Sequence, residues 1–340
     1  MDLESAMSLH LKLLDSLVTV EDRSLCKIRA MAECGGPTGE APPMPISALE
    51  ELGLGITSMA GRLQYALSIH LHVDKPEAWE TAHYLKGEAD GQARILYVGR
   101  AVAQATAAGA APSLPLRPGL SVGHERVTYG TLGAFVASTR DSDRIRFLSN
   151  NHVLAACDRG TQGDDILQPG PYQGGKAPRS RIGALDEKEE LHRDGVTPNI
   201  MDAATCVLDG DVSFHVGELR GLSASIPPPV AVIGSQVAKV GSTTKRTTGT
   251  VIDIGFSTKL WYQGEGYLRF DDLMVVASDE VGKRFSRGGD SGALVFRPDS
   301  REPVGLHIGG TELDEARGIP VSYVAPLDPI LKKLGVTLIS

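Results

Sequence analysis

The run Phe285 to Phe296 (FSRGGDSGALVF) places Ser291 inside Gly289-Asp290-Ser291-Gly292. A serine hydroxyl is a weak nucleophile at neutral pH. Acyl transfer on it needs a histidine to take its proton and an acid to orient that histidine. The chain offers both upstream. His152 stands in Leu148 to Ala155 (LSNNHVLA), where an apolar strand breaks into a turn. Asp202 stands in Asn199 to Ala204 (NIMDAA), among small and apolar residues. The order is His, Asp, Ser, with separations of 50 and 89 positions. Singly, each segment has an ordinary explanation: a tight turn, a satisfied strand-end histidine, a turn-capping acid. Together they point to acyl transfer, with Ser291 as nucleophile, His152 as general base and Asp202 as orienting acid.

The rival residues fit less well. His215 follows the acid and His307 follows the serine, while Asp194 and Asp209 sit in polar loops. His70 and His72 share one strand face, but no carboxylate or thiolate cluster accompanies them, so no metal is expected. Cys157 and Cys206 read as small core thiols. Ala293 stands where the nucleophile elbow Gly-x-Ser-x-Gly needs a glycine, which disfavours a carboxyl- or thioester hydrolase.

At these three segments the chain resembles the trypsin-like (chymotrypsin-fold) serine proteases, over roughly residues 116–340, and the bacterial intracellular type among them. The resemblance implies an oxyanion hole built from the N–H groups of Gly289 and Ser291. It also implies a substrate pocket with Phe285 and Ser286 at its floor and Ile308, Gly309 and Gly310 along its wall. No acid stands at that floor, so small or apolar side chains are expected before the scissile bond. In digestive relatives the acid before the serine pairs with an amino terminus freed by cleavage. No such activation junction precedes the first barrel here, so Asp290 needs another partner and residues 1–110 are expected to control activity. Secreted relatives commonly carry a cysteine directly after the base, whereas Val153 follows His152.

The elements that must position these residues are strands. Gly 39, Pro 20 and 41% hydrophobic residues suit many short strands joined by tight turns. The predicted class is mainly β: two antiparallel β-barrels of chymotrypsin type with a small N-terminal α+β domain. Residues 1–111 form the accessory domain, 112–226 the barrel carrying His152 and Asp202, and 227–340 the barrel carrying Ser291. Residues 1–40 read as one or two helices, 34–45 as a linker, 47–62 as a short helix and turn, and 103–118 as a connector. Strands are predicted at 63–73 and 93–102, then at 130–137, 144–149, 166–168, 180–185 and 201–208. After a crossover at Pro227-Pro228-Pro229 come 237–240, 249–254, 267–277, 292–296, 304–308 and 320–324, and a closing helix at 326–334. Residues 239–251 (KVGSTTKRTTGTV) read as an ordinary Gly/Thr-rich hairpin as readily as a family motif.

A net charge of −8 and a pI near 5.6 argue against nucleic acid or anionic membrane as the main partner. Met1 to Val18 has no basic n-region and no continuous apolar block, so neither a signal peptide nor a membrane span is expected. Four cysteines without a dense disulfide pattern suggest a reducing, cytoplasmic setting. The expected function is a serine endopeptidase acting on protein or peptide substrates, with no cofactor and with a homo-oligomer left open. The alternative is a catalytically silent protease-fold module that binds a partner peptide or scaffolds a complex.

Overall fold

A computed structural model describes residues 1–17, 48–59, 64–103, 113–127, 129–141, 143–219, 232–312 and 318–339. The predicted second helix, the 34–45 linker, most of the 103–118 connector and the Pro227 crossover lie outside the described residues. The chain folds as a mainly β protein of two antiparallel barrel-like sheets, of chymotrypsin type.

The N-terminal part comprises helix α1 (residues 3–17), one-turn α2 (Ala48–Glu51), β1 (Leu52–Ser58), β2 (Tyr65–Leu71), α3 (Pro76–Glu88), β3 (Ala93–Tyr97) and β4 (Arg100–Val102). Residues 52–58, predicted as helix and turn, are a strand buried over nearly its whole length. Their glycines conceal the pattern and serve a contact: a Cβ on Gly53 or Gly55 would meet the Phe256 ring at 2.6 or 2.5 Å. Helix α3 was not predicted. Pro76 opens it, where a missing N–H costs nothing, and Ala78, Ala82 and Leu85 form its buried face. The single strand predicted at 93–102 is two. Gly99, at φ +75°, breaks it, so that β3 pairs parallel with β2 while β4 leaves for another sheet position.

The first barrel contains β5 (Ser121–His124), β6 (Gly130–Thr131), β7 (Ala134–Ser138), β8 (Ile145–Ser149), one-turn helix α4 (Asn151–Leu154), β9 (Asp165–Leu167), β10 (Arg181–Lys188) and β11 (Ala204–Leu208). The second contains β12 (Gln236–Gly241), β13 (Lys245–Tyr262), β14 (Gly266–Ser278), β15 (Leu294–Phe296), β16 (Pro303–Glu312) and β17 (Val321–Pro326). Helix α5 (Leu327–Leu334) follows, and β18 (Val336–Leu338) returns to pair with β7 of the first barrel.

The second barrel closes as a ring. β12 pairs with both β13 and β15, and the path β15-β16-β17-β14-β13 completes it. The first sheet runs β18-β7-β8-β11-β10-β9-β5-β6 and stays open. The accessory strands have no sheet of their own. β1 pairs with the distal half of β13, so β1-β2-β3 extends the second barrel's sheet. One cluster joins the barrels, with Ala134, Val136 and Leu148 packed in it alongside Leu294, Leu306 and Ile308. Each buried Val, Leu or Ile among them contributes about 1.5–3 kcal/mol. The candidate site sits over this seam. No helix among the described residues is long and apolar enough to cross a membrane.

Candidate active site

Strand register brings Asp202 to His152. β8 and β11 are antiparallel with Ala204 opposite Ser149, so residues just before Ala204 lie beside those just after Ser149. Asp202 and His152 are such residues. The His152 backbone N–H donates to Asp202 Oδ1 at 3.1 Å, and His152 Nδ1 lies 2.5 Å from Oδ2. Asn150 Nδ2 donates to the Asp202 carbonyl at 2.6 Å, which fixes the backbone between them. Asp202 is fully buried. Burial opposes its ionisation, yet His152 and the Tyr262 hydroxyl hold the carboxyl below the usual range. An ionised carboxylate only accepts, so Nδ1 carries a proton towards it, and in the neutral tautomer that this selects Nε2 is the acceptor, the form a general base requires. Nε2 has no hydrogen-bond partner among the described residues.

Tyr262, at the end of β13, was not identified from the sequence. Its hydroxyl donates to Asp202 Oδ2 at 2.6 Å, and its ring meets the His152 imidazole edge-on at 5.5 Å. An aromatic pair in a hairpin gives no signal of such a contact 60 positions away.

Ser291 lies in the turn leading into β15. Gly289 and Gly292 both take φ +91°, a conformation that glycine adopts without strain. A Cβ on Gly292 would meet Ser149 Oγ at 2.0 Å, so the serine turn packs directly on the end of β8. Thr131 stitches the barrels together here: its N–H donates to the Ser291 carbonyl at 2.8 Å and its hydroxyl to the Gly289 carbonyl at 2.8 Å. Ser291 Oγ donates to the Ile308 carbonyl at 2.9 Å, and the residue is 0% exposed. The His152 side chain is 13% exposed.

Asp290 finds its partner within the second barrel. Lys239 Nζ lies 3.1 Å from Asp290 Oδ2, with both side chains 0% exposed. Thr243 N and Thr244 N donate to Oδ1, and Thr244 Oγ1 and Arg287 N to Oδ2. Burial opposes both charges; Lys239 and these donors keep the Asp290 carboxyl below the usual range. Thr243 Oγ1 and Ser242 Oγ donate to the Gly288 and Gly289 carbonyls, both at 2.6 Å. The peptide planes that set the direction of the Gly289 N–H are therefore clamped. Apart from the Arg287 N–H, these groups come from the 239–251 hairpin, whose sequence reads as an ordinary hairpin as readily as a family motif. The control expected from residues 1–110 is not what anchors Asp290.

The remaining predicted residues divide. Ile308, Gly309 and Gly310 run along β16 beside the serine. Phe285 is buried in the second barrel's core with Val237, Val251 and Val276, its ring centroid 5.4 Å from Lys239 Nζ. Ser286 Oγ lies 2.6 Å from Ser322 Oγ, on the strand opposite Gly310. His307 is buried, and burial together with nearby Lys239 pushes its pKa down to about 3. His215 and Asp194 are exposed. Asp209 pairs with Arg181. Cys157 and Cys206 are free and buried, and burial raises both thiols, Cys157 to about 12. Neither supplies a thiolate at neutral pH. His70 of β2 pairs with Asp253 of β13 at 2.9 Å, across β1. Among the described residues, no group of three or more His, Cys, Asp or Glu is placed to hold a metal ion.

No family model matches the chain. Over 210 residues it is 29% identical to "Protein NARROW LEAF 1" of Oryza sativa subsp. japonica, covering 54% of this chain and 34% of that protein. The chain thus spans about a third of the curated relative's length. Among solved structures, Thermobifida fusca Protease A is 18% identical with a TM-score of 0.45, over 66% of this chain and 100% of that one. A Cellulomonas bogoriensis chymotrypsin is 18% identical with a TM-score of 0.43, over 66% and 99%. A glutamic acid specific serine protease is 19% identical with a TM-score of 0.44, over 66% and 100%.

Proposed function

We propose that the chain is a serine endopeptidase. The observation that carries this reading is the buried Asp202 carboxylate, which accepts from the His152 backbone N–H and lies 2.5 Å from His152 Nδ1, while the Ser291 turn packs on the end of β8, the strand that leads into His152. Ser291 Oγ exchanges its bond to Ile308 for one to His152 Nε2 and attacks a peptide carbonyl as its proton passes to the imidazole. The N–H groups of Gly289 and Ser291 receive the oxyanion. His152 then returns the proton to the leaving amine, and water releases the acyl group by the same steps in reverse roles. Asp202 stays ionised and stabilises the imidazolium. The pocket beside Ile308, Gly309 and Gly310 takes small or apolar side chains, and a reducing cytoplasm suits the free thiols.

The test is labelling by a fluorophosphonate probe and turnover of a peptide library. Ser291→Ala and His152→Ala should each lower turnover on the order of 10⁶-fold while the fold survives. Labelling or cleavage undiminished in folded Ser291→Ala would refute the assignment. One observation favours the second reading, a silent peptide-binding module: Ser291 is fully buried and its hydroxyl faces the Ile308 carbonyl.

A further inference from the structure

β16 has two edges. β17 covers one, pairing from Gly305 to Gly310. On the other, β15 pairs with Gly305 and Leu306, and β4 pairs with Gly310, Thr311 and Glu312. Residues on the β17 side are shared by both partners, so β15 and β4 lie end to end along one edge. The Ser291 turn sits at the junction, with Gly292 N–H donating to the His307 carbonyl and Ser291 Oγ to that of Ile308. An extended peptide entering this site would add to that edge, because a strand edge offers it main-chain hydrogen bonds and alternating side-chain positions. The position is taken.

We propose that β4 is a resident pseudo-substrate, filling in cis the Gly309–Glu312 edge of β16 along which a substrate peptide would add. The proposal rests on the serine endopeptidase reading for its catalytic consequence, though not for the occupancy itself. β4 runs antiparallel to β16, with Arg100 opposite Glu312 and Val102 opposite Gly310, so its chain advances towards Ser291. A substrate whose N-terminal side is bound here has the same polarity and offers its next peptide bonds to the nucleophile. The approach is close: a Cβ on Gly309 would lie 2.2 Å from the Val102 carbonyl oxygen and 3.2 Å from Ala103 Cα. On its far side β4 bridges to Trp261, with Ala103 N–H donating to the Trp261 carbonyl at 3.0 Å. Arg100 lies 4.6 Å over the Trp261 ring and 5.8 Å from that of Tyr267. The strap therefore touches the serine side through β16 and the residue before Tyr262 on the acid side. Ala101 and Val102 are buried and Arg100 is exposed. The ligand class follows: extended peptides with small or β-branched aliphatic side chains at the positions of Ala101 and Val102.

Two variants release the strap by different amounts. Val102→Asp places a carboxylate in the buried position, and Arg100→Ala removes only the exposed ring contact. Occupancy is read in the Ser291→Ala background. A fluorescein-labelled peptide of residues 99–103 (GRAVA) should bind Val102→Asp at least tenfold more tightly than the intact strand allows, and Arg100→Ala a few-fold more tightly. Hydrogen exchange at residues 309–312 should accelerate in parallel. With Ser291 present, peptide turnover should rise in the same order, and the free peptide should inhibit the released forms competitively. Folded variants with unchanged peptide binding and exchange overturn the proposal. Measurable wild-type turnover equal to that of the variants also overturns it and leaves the protease reading standing. Faster exchange and peptide binding without labelling or turnover upholds the strap and removes the catalytic reading. If Val102→Asp does not fold, the same measurements on Arg100→Ala decide.

Discussion

Lys239→Met tests what holds the serine turn in place. The substitution keeps an unbranched side chain of similar length but removes the ammonium 3.1 Å from Asp290, where neither group meets water. Removing one partner of a buried ion pair costs about 3–5 kcal/mol, because the survivor is left charged and uncompensated. That corresponds to roughly 10²- to 10⁴-fold in the folding equilibrium. In the wild type the Asp290 carboxyl is depressed, so its contribution is present above the unfolded pKa of about 3.9 and lost as pH falls through the folded value. In the variant the sign reverses. Burial is then opposed only by neutral donors, the folded pKa rises above the unfolded one, and the penalty grows as pH rises through it. The stability gap between wild type and variant should be nearly complete at pH 8 and shrink towards pH 5. Urea unfolding followed by circular dichroism at several pH values measures it, and fluorophosphonate labelling should fall alongside as the turn loosens. A gap below about 1 kcal/mol, or one that widens on acidification, would show that the ion pair is not what fixes Asp290.

Tyr262→Phe removes the hydroxyl from Asp202 Oδ2 while keeping the ring against His152. A hydrogen bond to a charged group contributes about 1.5–3 kcal/mol, so stability should drop by that amount and turnover by far less than in Ser291→Ala; an unaffected unfolding curve counts against the contact. A chain starting at residue 112 should aggregate or lose stability rather than simply lose control of activity. It exposes the distal edge of β13 and the face of Phe256 that β1 covers, and size-exclusion chromatography with thermal unfolding reads the outcome. A stable monomer from that truncation would mean that the accessory strands are dispensable.

What could be read in the sequence was local. Ser291, His152 and Asp202 stand at strand ends in small, apolar settings, and their order constrained both sheets. The structure brings His152 to Asp202 through the register of two short strands that alternation had located. The groups supporting them were not legible. Lys239 and Tyr262 lie 51 and 60 positions from the carboxylates they touch, inside strands whose composition suits a plain hairpin. β1 was hidden because two of its residues are glycines under an aromatic ring, and a strand buried on both faces shows no alternation. β13 was read as residues 249–254 and runs from Lys245 to Tyr262, with irregular register against β14 at three places that break the period-2 pattern. β4 was read as the tail of its neighbour because one glycine separates two strands with different partners.

The pairing of β1 with β13 joins residues about 200 positions apart, Leu54 with Ser257 and Ile56 with Ile254. On a ribosome the chain emerges at roughly 5–20 residues per second, so β1 to β3 wait on the order of ten seconds or more before their partner strand exists. During that interval β1 carries an apolar face and an open hydrogen-bonding edge, the features that recruit unrelated chains. Helices α1 and α3 pack on this same cluster through Leu13, Ala78, Ala82 and Leu85. They are synthesised early enough to shield one face of the nascent sheet, while its edge must await the second barrel. The pairing therefore makes completion of the N-terminal sheet depend on the last third of the chain, and a substitution in β13 that leaves the finished protein intact is expected to lower the amount that reaches it.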